Sequence, residues 1–169
     1  MTRSKFLDNG IFMNILTANL LSSTLVFWVA ARLYIFPRLP TLPTRAVLQP
    51  ILLLHGLRHL GLMFLAPGAI YAGIPARFAY PAAFGDLLAA LLAQAALYAL
   101  VRNLRATRLL VWAFSIEGTV DLIAAITLAT LTEAAAYMGP AYWIPAFWVP
   151  ALLVTHAITF VVLTKHWRS

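Results

Sequence analysis

The chain has 169 residues, 63% of them hydrophobic and 10% charged, with no cysteine and a formal net charge of +7. Soluble domains are about 45–50% apolar and about 25% charged, and a fold of this length has too little interior to hide so much apolar surface. A soluble enzyme and a nucleic-acid-binding domain are thereby excluded, as are disulfides, thiolate zinc sites and iron–sulfur clusters.

Five apolar stretches follow one another along the chain, at 11–31, 47–66, 80–101, 109–131 and 143–163. Each is close to the roughly 20 residues that a helix needs to cross a bilayer. In lipid a single segment satisfies its own backbone only as a helix. The sequence predicts an all-α bundle of five transmembrane helices forming a single domain over 1–169.

The first stretch follows Arg3, Lys5 and Asp8. It exceeds the roughly 7–15-residue core of a signal peptide and lacks a small-x-small cleavage site, so it is expected to be a retained span. The third is rich in alanine and leucine over 87–100, which suits helix. Prolines punctuate the connections: Pro37, Pro40 and Pro43; Pro67, Pro75 and Pro81; Pro140, Pro145 and Pro150.

Loop charge sets orientation, because Lys and Arg accumulate on the cytoplasmic side. Arg3, Lys5 and Arg77 fall on the N-terminal side. Arg32, Arg38, Arg45, Arg102, Arg105, Arg108, Lys165 and Arg168 fall on the other. The N-terminus is expected outside and the C-terminus in the cytoplasm.

Ile74-Pro75-Ala76 opens the third span and Ile144-Pro145-Ala146 the fifth. Asp86 and His156 each lie eleven residues beyond the proline, and the preceding spans each carry a polar pair four residues apart. This pattern suggests a duplicated helical hairpin, spans two–three and four–five, of the kind common in transporters.

A charge at the bilayer centre costs roughly 2.5–3.5 kcal/mol on insertion scales. Yet His55, Arg58 and His59 lie in span two, Asp86 in span three, Glu117 and Asp121 in span four and His156 in span five. Such groups face the bundle interior and pair. At about 1.5 Å per residue, Arg58, His59, Asp86 and Asp121 fall in one outer layer. His55, Glu117 and His156 fall in a second, nearer mid-membrane. Asn14 and Asn19 add neutral hydrogen-bonding capacity. Side chains four apart share a helix face, so His55 and His59 are expected to point together, as are Glu117 and Asp121. Arg58 is the one permanent cation within the spans and is expected to pair with Asp86, Asp121 or both.

Several uses of this cluster remain open. It suits a proton relay, or handling of an ion or small apolar ligand, since His titrates near neutrality. It also offers a nitrogen/oxygen ligand set, with His55, His59 and His156 as zinc or iron ligands of a membrane enzyme acting on a lipid-like substrate. The HExxH signature is absent there, because Gly56 stands where its Glu belongs. His55 and His156 on facing helices also suit the axial positions of a haem. The fourth use is purely structural: an ion-pair network that fixes helix register in an assembly subunit. Gly56, Gly61 and Gly85 permit close helix approach, within the chain or in a homo-oligomer. The bilayer is the one partner that composition requires.

The stretch Arg58-His-Leu-Gly61, followed by Phe78-Ala-Tyr-Pro81-Ala and then Gly85-Asp86, resembles small uncharacterised multi-span proteins of bacterial membranes. The resemblance implies a bacterial inner-membrane location and draws attention to Arg58 and Asp86. It implies no activity. The tryptophan-rich translocator proteins also have five helices, but their aromatic–proline pattern is not found here.

Overall fold

The computed structural model describes residues 2–167, with side chains described from Ile15 onward. Arg168 and the side chains of Arg3, Lys5 and Asn14, which entered the sequence reading, lie outside the described residues. The fold is all-α. Its helices are α1 (Thr2–Ala30), α2 (Thr44–Gly56), α3 (Ala76–Val101), α4 (Thr107–Leu131) and α5 (Val149–Val161).

Short helical extensions lengthen three of them. A π-turn (Ala31–Ile35) and a 3₁₀ turn (Phe36–Arg38) continue α1; a 3₁₀ helix (Leu57–Leu65) continues α2; π-turns (Ile144–Trp148 and Val162–His166) flank α5. With these, the described residues contain five helical segments long and apolar enough to cross a membrane: Ile15–Arg38, Thr44–Leu65, Ala76–Val101, Thr107–Leu131 and Gly139–His166. The chain is a multi-span membrane protein.

The two ends of the bundle are tied by different contacts. At one end Thr44 Oγ1 donates to His166 O at 3.3 Å and Arg108 Nη2 donates to Leu163 O at 3.2 Å. The starts of α2 and α4 therefore meet the end of the last span. At the other end Tyr71 N donates to Tyr137 O and Ala141 N to Ala69 O, both at 2.9 Å. These bonds join the α2–α3 and α4–α5 connections. Asn19 of α1 reaches the same end, donating to Tyr142 Oη at 3.3 Å.

Small residues set the packing. Along α3 the buried positions between Phe78 and Leu100 are Ala79, Ala82, Ala83, Asp86, Ala89, Ala90, Ala93, Ala96 and Ala99. Their recurrence every three to four residues makes one seam, and alanines let backbones approach closely where lipid supplies no hydrophobic drive. Asp86 sits in the middle of that seam. Many large apolar residues turn outward: Leu53, Leu57, Leu88, Leu91, Leu109 and Ile123 are exposed on the bundle surface, where the solvent is acyl chain.

The buried apolar residues fall into two clusters. One gathers Leu48, Leu52, Ala93, Val111, Phe114 and Ile158 toward the arginine-rich end. The other gathers Phe64, Phe78, Ala82, Leu122, Ala129 and Leu152 toward the opposite end. Between them, near the midpoints of α3 and α4, lies a polar layer.

The two hairpins differ in local geometry. The second span passes from α-helix to 3₁₀ halfway, whereas α4 is α-helical throughout. The repeat suggested by the residue pattern therefore does not extend to the helix pitch of spans two and four.

Candidate functional site: an arginine between two carboxylates

The pitch change in the second span decides which of its polar residues are inside. At the end of α2 the Leu57 N–H reaches back to Leu54 O, three residues away, and the following nine residues are 3₁₀. In a 3₁₀ helix residues i and i+3 eclipse. His55, Arg58, Gly61 and Phe64 accordingly share one buried line. Leu57 and Leu62 face outward.

This geometry separates His59 from His55. In an α-helix the two would stand about 40° apart; over 3₁₀ turns the offset grows toward 120°. His59 is exposed, and its Nδ1 lies 3.1 Å from Gly56 O in the preceding turn. The expected shared face of His55 and His59 is therefore not formed, and the partner of His55 on its own line is Arg58.

Arg58 is 1% exposed and bridges two helices. Its Nε donates to Asp86 Oδ1 on α3 at 2.7 Å, and its Nη2 donates to Asp121 Oδ2 on α4 at 2.5 Å. Its Nη1 donates to Gly118 O at 3.2 Å. All three guanidinium nitrogens are thus engaged. The planar fork of arginine fits this arrangement, where the point charge of lysine does not. The expected pairing of Arg58 with Asp86, Asp121 or both takes its fuller form, with both.

Three glycines make the room. A Cβ on Gly61 meets the Asp86 carboxylate, with Asp86 Cγ at 2.7 Å. A Cβ on Gly85 meets the Asp121 carboxylate. A Cβ on Gly118 stands 2.6 Å from both Arg58 Nη1 and His156 Nε2. Gly61 and Gly85, readable from sequence as close-approach positions, therefore serve contacts inside the chain. Gly118 was not legible as a site residue, because nothing in its neighbours announces that a guanidinium passes over it.

The second layer lies one turn away. His55 and His156 are fully buried, with ring centroids 4.3 Å apart, and the Phe114 ring lies 4.8 and 4.9 Å from them. His55 Nε2 is 2.9 Å from Thr155 Oγ1, whose own hydrogen is directed at Ala151 O and Leu152 O. The hydrogen-bond network thereby assigns the His55 proton to Nε2, which donates. His55 Nδ1, both ring nitrogens of His156, Ser115 Oγ and Glu117 Oε2 are buried without a protein partner. Glu117 itself is half-buried, one turn before Asp121.

Two cofactor arrangements fail the fit. The His55 and His156 rings are in van der Waals contact, so no haem macrocycle passes between them. Zinc or iron needs a converging ligand set. His59 faces away, and among the described residues no three His, Asp or Glu side chains converge in a metal-binding group.

A cavity of about 330 Å³ opens beside the triad, toward the end away from the arginine-rich loops. Its walls are almost wholly apolar, with Leu16 and Leu20 from α1, Phe78 and Ala82 from α3, and Leu122 and Ile126 from α4. Among the described residues Asp86 is the only charged one on it. The carboxylate gripped by Arg58 is thus also the polar end of an apolar cavity.

A family model described as a domain of unknown function (DUF8737) matches residues 15–164. The chain belongs to this family. The match runs from α1 to the π-turn after α5 and so takes in every residue of the triad, both buried histidines and every described residue that lines the cavity. No curated protein and no solved structure matches the chain.

Proposed function

We propose that this DUF8737 protein is an intramembrane binding protein that takes one small apolar molecule with a hydrogen-bond-donating or cationic head. The observation that carries the reading is the cavity that ends on Asp86. Its volume lies within the roughly 300–1,000 Å³ typical of small-molecule sites. Its walls suit a ligand drawn from the lipid phase. Its single carboxylate belongs to a triad whose formal charge is −1 when both acids are ionised, so a donor or cation at the head complements it. The cluster of Arg58, Asp86, Asp121, Glu117, His55 and His156 then acts as a fixed polar floor.

On the same reading the chain is one five-span domain of a bacterial plasma membrane. The positive-inside rule supports an outward N-terminus, since the starts of α2 and α4 and the α3–α4 connection carry Arg45, Arg102, Arg105 and Arg108. The cavity then lies in the outer half of the bilayer.

Native mass spectrometry of the detergent-purified protein tests the binding, with n-decylamine, n-decanol and decanoate as probes of equal chain length. Decylamine is expected to form the most adducts and decanoate the fewest. Ala125→Phe, which projects a ring into the cavity from a half-buried wall position, is expected to abolish them. Equal uptake by the parent and the filled variant rules the site out.

A further inference from the structure

We propose that the arginine-rich end of the bundle holds a second, separate site, for the phosphate headgroup of an anionic phospholipid. A cavity of about 660 Å³ lies where the starts of α2 and α4 meet the α3–α4 loop and Trp167. Arg45, Arg105 and Arg108 all line it, and among the described residues no Asp or Glu does. Three guanidiniums around one space repel one another unless an anion sits among them. Guanidinium is also the side chain whose donors match phosphate oxygens two at a time.

The cavity is shaped for a ligand with one polar end. Arg108 is held in place, donating to Leu163 O at 3.2 Å with its guanidinium carbon 5.7 Å from the centre of the Trp167 ring. All three arginines are exposed, and Arg45 and Arg105 extend from the neighbouring helix start and loop. Thr107 and Asn103 add neutral polar lining. Leu100 and Leu104 supply an apolar flank, which free phosphate does not use and an acyl-glycerol does. The site sits at the helix ends, the depth of the headgroups for spans of this length. Basic pockets between helix ends at that depth are a recurring form of lipid-headgroup recognition. The four acids with described side chains lie elsewhere: Asp86, Glu117 and Asp121 within the spans and Glu133 beyond the far end of α4.

The test uses the full chain in detergent, with native mass spectrometry of adducts from an equimolar mixture of phosphatidylglycerol and phosphatidylcholine bearing the same acyl chains. Phosphatidylglycerol is expected to be retained about tenfold over phosphatidylcholine. The double variant Arg45→Gln/Arg105→Gln is expected to lose that preference while melting at the parent temperature. Arg77→Gln, at the opposite end of the bundle, is expected to keep it. Equal retention of the two lipids by the parent overturns the proposal, as does an undiminished preference in the double variant. A third arm adds inorganic phosphate at the lipid concentration; displacement of phosphatidylglycerol by it overturns the lipid assignment. Decylamine uptake at the Asp86 cavity reads the other site, so either proposal can fail alone.

Discussion

Arg58 and Gly118 are in direct contact: the guanidinium donates to the Gly118 carbonyl at 3.2 Å, and a Cβ on Gly118 stands 2.6 Å from the same nitrogen. Such a Cβ also stands 2.6 Å from His156 Nε2. Neither neighbour can retreat, since Arg58 is tied to two carboxylates and His156 is packed on His55 and Phe114. Gly118→Ala is therefore expected to destabilise the fold by about 1–3 kcal/mol, as overpacking does. Gly56→Ala is the control, because its nearest neighbour is Gln94 Cγ at 3.7 Å. Alanine there is expected to be neutral or to stabilise by up to about 1 kcal/mol. Thermal melts of the two variants in detergent check the contrast, and a Gly118→Ala protein that melts like the parent would falsify it.

Removing the cation leaves two carboxylates facing each other across an apolar interior. Arg58→Leu is expected to lower stability by about 3–5 kcal/mol, the range for breaking one side of a buried pair. Arg58→Lys is expected to recover only part of this, because one ammonium cannot meet Asp86, Asp121 and the Gly118 carbonyl in the same plane. Denaturation of the three proteins side by side gives the order parent, Lys, Leu. A lysine variant equal to the parent sinks the fork argument.

The histidines four residues apart are expected to behave oppositely. His55 is fully buried against His156 and Phe114, and its Nε2 is bonded to Thr155. His55→Ala opens a cavity and is expected to cost on the order of 2–5 kcal/mol, as other large-to-small core changes do. His59 is exposed, and His59→Ala is expected to stay within about 0.5 kcal/mol of the parent. Equal losses at the two positions put both side chains on one face and contradict the 3₁₀ register.

Asp86 and Asp121 share Arg58 but differ in surroundings, since Asp86 lines the apolar cavity and Asp121 does not. Asp86→Asn is expected to remove the preference for decylamine over decanoate. Asp121→Asn is expected to retain it. Both are expected to lower the melting temperature, because each removes an ionic partner of Arg58. Adduct counts from native mass spectrometry separate the two; the same change of preference in both variants removes Asp86 from the binding site.

Much of this protein was legible in the residues. The five spans follow from composition, because lipid offers the backbone no hydrogen-bond partner and so demands helices of a certain length. That Arg58 pairs with Asp86, Asp121 or both follows from the same scarcity, since a permanent cation in hydrocarbon needs an acid; the structure shows that it holds both. Gly61 and Gly85 were visible as places for close approach, though not as the places where the two carboxylates pass.

The tertiary structure alone decided the rest. Residue types do not state helix pitch, and a change from 3.6 to three residues per turn moved His59 outside while bringing Arg58 and Gly61 onto the line of His55. Gly118 became a site residue only because a side chain sixty positions earlier crosses it. The cavity on Asp86 belongs to no stretch of sequence, for it is the space left among α1, α3, α4 and the turns before α5. Composition placed the charges in the membrane; packing decided which of them meet, and which one faces an opening.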